Sequence, residues 1–90
     1  MKLFLVHLGY YDSHSAGVFE SHTNVFVVAI DWDDAREKAK KLPLVIEKQM
    51  HIDGLQQIER VDGYAINLQA ENGDNLISSH HFRELKRKQA

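Results

Sequence analysis

TNVFVVAIDWDDAREKAKKLP, residues 23–43, is the stretch that decides the fold. Thr23 to Ile30 is rich in β-branched and aromatic residues and is apolar on both alternating sets, which predicts a strand. Asp31 then offers a side-chain oxygen to cap a helix. Asp33 and Asp34 lie in the first turn and Lys38, Lys40 and Lys41 in the last turns, the polarity a helix dipole favours. Trp32, Ala35, Ala39 and Leu42 recur at helical spacing and form one apolar stripe. Asp34–Lys38 and Glu37–Lys41 have the i,i+4 spacing of helical ion pairs. Pro43 disfavours helical geometry at Leu42, so the helix should end there. A strong strand running directly into an amphipathic helix makes the chain a mixed α and β protein.

Upstream, KLFLVHL (2–8) is again apolar on both alternating sets, as expected of a central strand covered on both sides. On that reading His7 is a core residue. Residues 10–21 (YYDSHSAGVFES) keep no period and read as a long loop, with a short extended piece near Val18–Glu20. A loop of this length in a small domain is often functional. Tyr10, Tyr11 and Phe19 in it are residue types enriched at protein interfaces, and they are the candidate interface residues.

Downstream, residues 44–50 are compatible with either a short second helical turn or a crossover loop. Asp62-Gly63 stands between two further extended segments, 54–61 and 64–70, and is the favoured two-residue hairpin turn. Leu76-Ile77 reads as a short extended piece, and Ser79 or His80 as the start of a C-terminal helix reaching about Lys88. The expected architecture is therefore α+β, in the order β-β-α-β-β. Four main strands, mostly antiparallel, pack on one main helix, with a short helix at the C-terminus. The β2-α-β3 connection suits a right-handed crossover.

The totals narrow the function. Ninety residues make a single domain, 1–90, with a basic C-terminal tail at 83–90. A chain of this size buries only about 60–65% of the surface its unfolded form exposes, so pairing with a second copy would help it. Cysteine is absent, which excludes disulfides, thiolate zinc sites and cysteine nucleophiles. The N-terminal apolar run breaks at His7 and Gly9 with no cleavage site in register, and no stretch nears the ~18 apolar residues of a membrane span. A cytoplasmic location with no membrane association is expected. The net charge of −2 does not favour nucleic acid. The basic tail (Arg83, Lys86, Arg87 and Lys88 against Glu84) has only Phe82 beside it for stacking.

Six histidines carry the remaining chemistry. Glu20-x-His22 and His51-x-Asp53 each place an imidazole and a carboxylate on one face of an extended segment. That pairing suits zinc, iron, nickel or manganese, and equally a small polar ligand. The two segments form one site only if the start of the second strand and the start of the third are neighbours. His80-His81 cannot share a face, and no G-x-S-x-G turn or phosphate loop is present, so no catalytic residue is assigned.

The stretches "KLFLVHLG", "ESHTNVFVVA" running into an acidic helix start, and "HIDG" followed by "VDGYAINL" together resemble a bacterial family of uncharacterised proteins, domain of unknown function 1543. The resemblance covers about residues 2 to 70. Here Tyr10-Tyr11 follows Gly9, where the family tends to show a second Gly. Members carry one or two copies of the domain, which implies that a lone copy pairs with another as a homodimer. The sequence thus leads to a small self-associating binding or interaction module of unknown protein or small-molecule partner, more non-enzyme than enzyme. The other reading is a site of Glu20, His22, His51 and Asp53 for a divalent metal or small polar ligand. No resident cofactor is expected beyond such a metal.

Overall fold

The apolar alternation of residues 2–8 and 23–30 produces two long strands, β1 (Lys2–Tyr11) and β2 (Glu20–Ala29). The computed structural model describes residues 1–12 and 16–82 of the chain. After β2 come helix α1 (Trp32–Lys40), a shorter helix α2 (Pro43–Glu47) and a third long strand β3 (His51–Ile58). The two-residue strands β4 (Arg60–Val61) and β5 (Tyr64–Ala65) complete the regular structure.

β1 is the middle strand of a three-stranded sheet, antiparallel to β2 on one side and to β3 on the other. β2 and β3 therefore run in the same direction, separated by β1, and α1 and α2 carry the chain across. Both strands start at the end of the sheet where β1 finishes.

One face of the sheet holds the core. Phe4, Val6 and Leu8 from β1 are fully buried and meet Val27, Ala29, Ala35, Ala39 and Val45. Each of the three large β1 side chains contributes about 1.5–3 kcal/mol by leaving water. Ala35 and Ala39 bring α1 close to the strands because they add little bulk. Trp32 keeps half its surface in solvent but sets its edge on Phe4, with ring centroids 5.1 Å apart.

The cap works as the sequence indicates. Asp31 Oδ1 accepts from the Asp34 N–H at 2.8 Å, and Asp34 Oδ2 accepts from the Ile30 N–H at 2.9 Å. Asp31 thereby caps the Asp34 amide in the first turn, while the Asp34 carboxylate reaches back past the cap to the Ile30 amide. Asp34–Lys38 forms at 3.8 Å, but Glu37 pairs with Lys40 at 3.2 Å rather than with Lys41. Lys41 is the helix C-cap, and Leu42 is extended ahead of Pro43, which begins α2. Of the segment left open between a helical turn and a loop, residues 44–47 are helical and 48–50 are not. Gln49, at φ 51°, turns the chain out of α2 toward β3.

Several expectations are corrected. The sheet has three strands, not four. Asp62-Gly63 does form the hairpin turn, with φ of 52° and 83° at its two residues, but its arms pair only with each other. The strand expected over 64–70 stops at Ala65, since no neighbouring strand is there to take its ladder, and residues 66–82 carry no helix or strand. Among the described residues a second helix, α2, adds Val45 to the core beside the one expected main helix. Ser79 to Phe82 are not helical, and the rest of the expected C-terminal helix, the basic tail 83–90 and His14 lie outside the described residues.

The expectation that β1 is covered on both faces also fails. The face opposite the helices carries Leu3 and Leu5, which are half-buried, and His7, which is exposed. Their β2 partners Phe26 and Val28 are exposed as well. β1 is central because its edges are occupied, not because both its faces are. His7 is accordingly a surface residue and not a core one.

Candidate metal centre

Strand alternation and register together build the site on this open face. Cross-strand partners point to the same side of a sheet. Tyr11 lies opposite Glu20, Gly9 lies opposite His22 on β2 and opposite His51 on β3, and His7 lies opposite Asn24 and Gly54. The β1–β3 register shifts between His7 and Leu8, and the pairing passes from Ile52 to Gly54 without using Asp53. Such a bulge re-aims a side chain relative to a regular ladder. Here the Asp53 carboxylate comes to the open face beside His22 and His51.

All four residues singled out in the sequence converge. His51 Nε2 lies 2.5 Å from Glu20 Oε2 and 3.1 Å from Asp53 Oδ1. His22 Nε2 lies 3.2 Å from Asp53 Oδ2 and 3.5 Å from Glu20 Oε2. Imidazoles and carboxylates therefore alternate around a closed ring. A carboxylate only accepts, so His51 Nε2–H is the donor to Glu20. In a tetrahedral site with bonds of 2.0–2.2 Å, neighbouring ligand atoms sit roughly 3.3 Å apart. Three of the four contacts around the ring lie near that spacing, while it is two triads, and not the four residues together, that have all their ligand atoms within 4.8 Å of one another. The side chains are 30% to 48% exposed, so the ring opens to solvent.

Gly9 is the floor of the ring. A Cβ there would stand 2.6 Å from His51 Nε2 and 2.8 Å from Asp53 Oδ2, and closer still to Glu20 Oε2. The backbone at Gly9 is ordinary β geometry, so it is the approach of three side-chain ends, not a turn, that crowds a Cβ there.

His7 joins the cluster although the sequence placed it in the core. Its Nδ1–H donates to Asn24 Oδ1 at 2.7 Å, and its ring stacks on His22 with centroids 4.9 Å apart and planes 11° apart. Metal-binding imidazoles typically have one nitrogen fixed in this way, which leaves the other free to ligate. The signal was present in the i, i+2 spacing of His7 and Gly9, but it becomes readable only once Gly9 is known to face His22 and His51. Two groups of ligand atoms lie within 4.8 Å of one another: His7, His22 and Asp53, and Glu20, His51 and Asp53.

The candidate interface residues do not form one patch. Tyr10 and Tyr11 point to opposite faces. Tyr10 is half-buried, with Lys48 Nζ 5.2 Å from its ring centroid, while Tyr11 is exposed on the cluster's side and Phe19 is exposed just before β2. His80 stacks edge-on with Phe82 at 4.7 Å. Among the described residues no helix is long and apolar enough to cross a membrane.

The model of a protein family described as Domain of Unknown Function (DUF1543) matches residues 17–68, more than half of the chain. The matched span contains Glu20, His22, His51 and Asp53, whereas His7 and Gly9 lie before it. No curated protein and no solved structure matches the chain.

Proposed function

The chain belongs to the DUF1543 family, and on that premise, which brings no activity with it, we propose that its function rests on a divalent metal ion held over Gly9 by Glu20, His22, His51 and Asp53. The observation that carries this reading is the alternating ring itself. Four side chains from two strands that are not paired with each other bring nitrogen and oxygen ligands to contacts of 2.5–3.5 Å. Two imidazoles and two carboxylates form a donor set for zinc, iron, nickel or manganese. Two carboxylates also match the charge of one divalent ion.

The test is metal analysis of untagged protein, as purified and after incubation with zinc or manganese followed by desalting. Stoichiometric metal in the native protein, lost in both His22→Ala and His51→Ala, is the expected result. No retained metal, together with a melting temperature that neither ion moves, would overturn the reading in favour of a self-sufficient hydrogen-bonded ring.

Self-association is a second reading, supported by the other half of the open face. Leu3, Leu5, Phe26 and Val28 form an apolar strip there, with Leu76 and Ile77 exposed at its rim. The chain by itself thus leaves apolar surface uncovered, and a second copy presenting the same strip would cover it. Light scattering at tens of micromolar tests this, and a monomeric mass would remove it.

A further inference from the structure

We propose that the cluster holds two divalent cations bridged by the Asp53 carboxylate. One is bound by His7, His22 and Asp53 Oδ2, the other by Glu20, His51 and Asp53 Oδ1. The proposal rests on the reading that this cluster binds metal, and it divides the four ligands of that reading between two ions with His7 added.

Three observations carry it. First, the ligand atoms fall into two triads, each with its atoms within 4.8 Å of one another, and Asp53 is the member common to both. Second, the two oxygens of Asp53 serve different imidazoles: Oδ2 is 3.2 Å from His22 Nε2 and Oδ1 is 3.1 Å from His51 Nε2. A carboxylate used in this divided way spans two ions about 3.5–4 Å apart, the spacing of two-metal centres. The bulge makes this possible, because it leaves Asp53 without a cross-strand partner between the two triads. Third, His7 is already set as a ligand. Asn24 Oδ1 accepts from its Nδ1 at 2.7 Å, so Nε2 is the ring nitrogen open to an ion, and the ring lies parallel to that of His22.

Three protein ligands per ion leave further positions on the solvent side, which water or hydroxide fills. The two carboxylates offset half of the charge of two divalent ions, and a bridging hydroxide offsets more.

The experiment uses the full chain without a tag, stripped with a chelator and then loaded with zinc or manganese. Metal retained after desalting is counted, and the manganese form is examined by electron paramagnetic resonance. The expected result is two ions per chain and an exchange-coupled manganese spectrum in place of the six-line signal of an isolated ion. His7→Ala should retain one ion and regain the isolated-ion signal, whereas Asp53→Ala should lose coupling and bind neither ion tightly. His7 is exposed, and matching circular dichroism of the stripped native and variant proteins confirms that the change lies in the ligands. One ion per chain, unaffected by His7→Ala, overturns the bridge and leaves the single-ion reading in place. Two ions without coupling overturn the bridge as well. No retained ion overturns both.

Discussion

His51 Nε2 and Glu20 Oε2 lie 2.5 Å apart although 31 positions separate the two residues in the chain. The two strands are not paired with each other in the sheet. The contact exists because β1 holds β2 and β3 in matched registers and because residue 9, between them, has no side chain. The ring is therefore a product of the assembled sheet, and a ligand that binds it stabilises the whole three-strand unit.

Gly9→Ala should separate binding from folding. Its Cβ would meet His51 Nε2 at 2.6 Å and Asp53 Oδ2 at 2.8 Å, atoms at the ends of side chains that can swing away. No unusual backbone angle is lost, and a methyl group in place of glycine restricts the unfolded chain, which is worth about 0.4–1 kcal/mol where the native geometry allows it. The metal-free variant should thus be as stable as the native protein to within about 1 kcal/mol. Its metal affinity should fall at least about tenfold, or about 1.4 kcal/mol. Urea unfolding and zinc titration, done side by side, check the two halves. Undiminished affinity would mean that the ring is not the binding site.

Zinc should raise the melting temperature, and acid should remove the effect. Ligand at about a hundred times its dissociation constant adds about 2.7 kcal/mol of stability. For a domain of this size that corresponds to a rise on the order of 10 °C. Zinc replaces the proton that His51 shares with Glu20 and competes with protons at the other imidazoles, so binding releases protons. The rise should shrink as the pH is lowered, because protons compete with zinc for the ligating side chains. Scanning fluorimetry with and without a chelator at several pH values measures it. A rise that persists unchanged at acid pH would point to carboxylates alone.

Much of this was legible in residues 20–43 and little of it after residue 63. The strand and helix of 23–42 have local causes: β-branched residues, a capping aspartate, an apolar stripe and a terminating proline. The four candidate ligands could be named because x-spaced pairs share a strand face whichever strand is the neighbour. What sequence could not supply was order across the sheet. Strand β1 separates β2 from β3, and only that arrangement brings His7 and Gly9 into the site. The apolar runs of β1 and β2 indicated two covered faces, yet apolar residues on an uncovered face give the same pattern. The alternation of 64–70 likewise had the period of a strand without a partner to pair with.

Asp31→Ala should cost about 0.5–2 kcal/mol, the usual loss for removing a helix cap. It frees the Asp34 amide that Asp31 Oδ1 accepts at 2.8 Å, while Asp34 itself still accepts from Ile30. The helix lies across the sheet from the ring, on the opposite face, so metal stoichiometry should not change. Urea unfolding reads the first effect and metal analysis the second. A loss of metal in this variant would show that the ring depends on helix docking, contrary to the arrangement described.

Phe4→Ala and Phe26→Ala remove the same side chain from opposite faces of neighbouring strands, and they should behave differently. Phe4 is fully buried against the helices and meets the edge of Trp32, so its loss should cost about 3–5 kcal/mol. In a domain with total stability of only about 5–15 kcal/mol, that leaves a much weakened fold. Phe26 is 56% exposed on the open face, so in a single copy its truncation should cost well under half as much. If a second copy covers that strip, the Phe26→Ala penalty grows with protein concentration, because the lost contacts lie between chains and association stabilises by mass action. Unfolding midpoints measured for both variants across a hundredfold range of concentration decide it. A Phe26→Ala effect that is small and independent of concentration would mean the strip stands open on a monomer, and the metal ring would then be the one surface feature of this face with a role to explain.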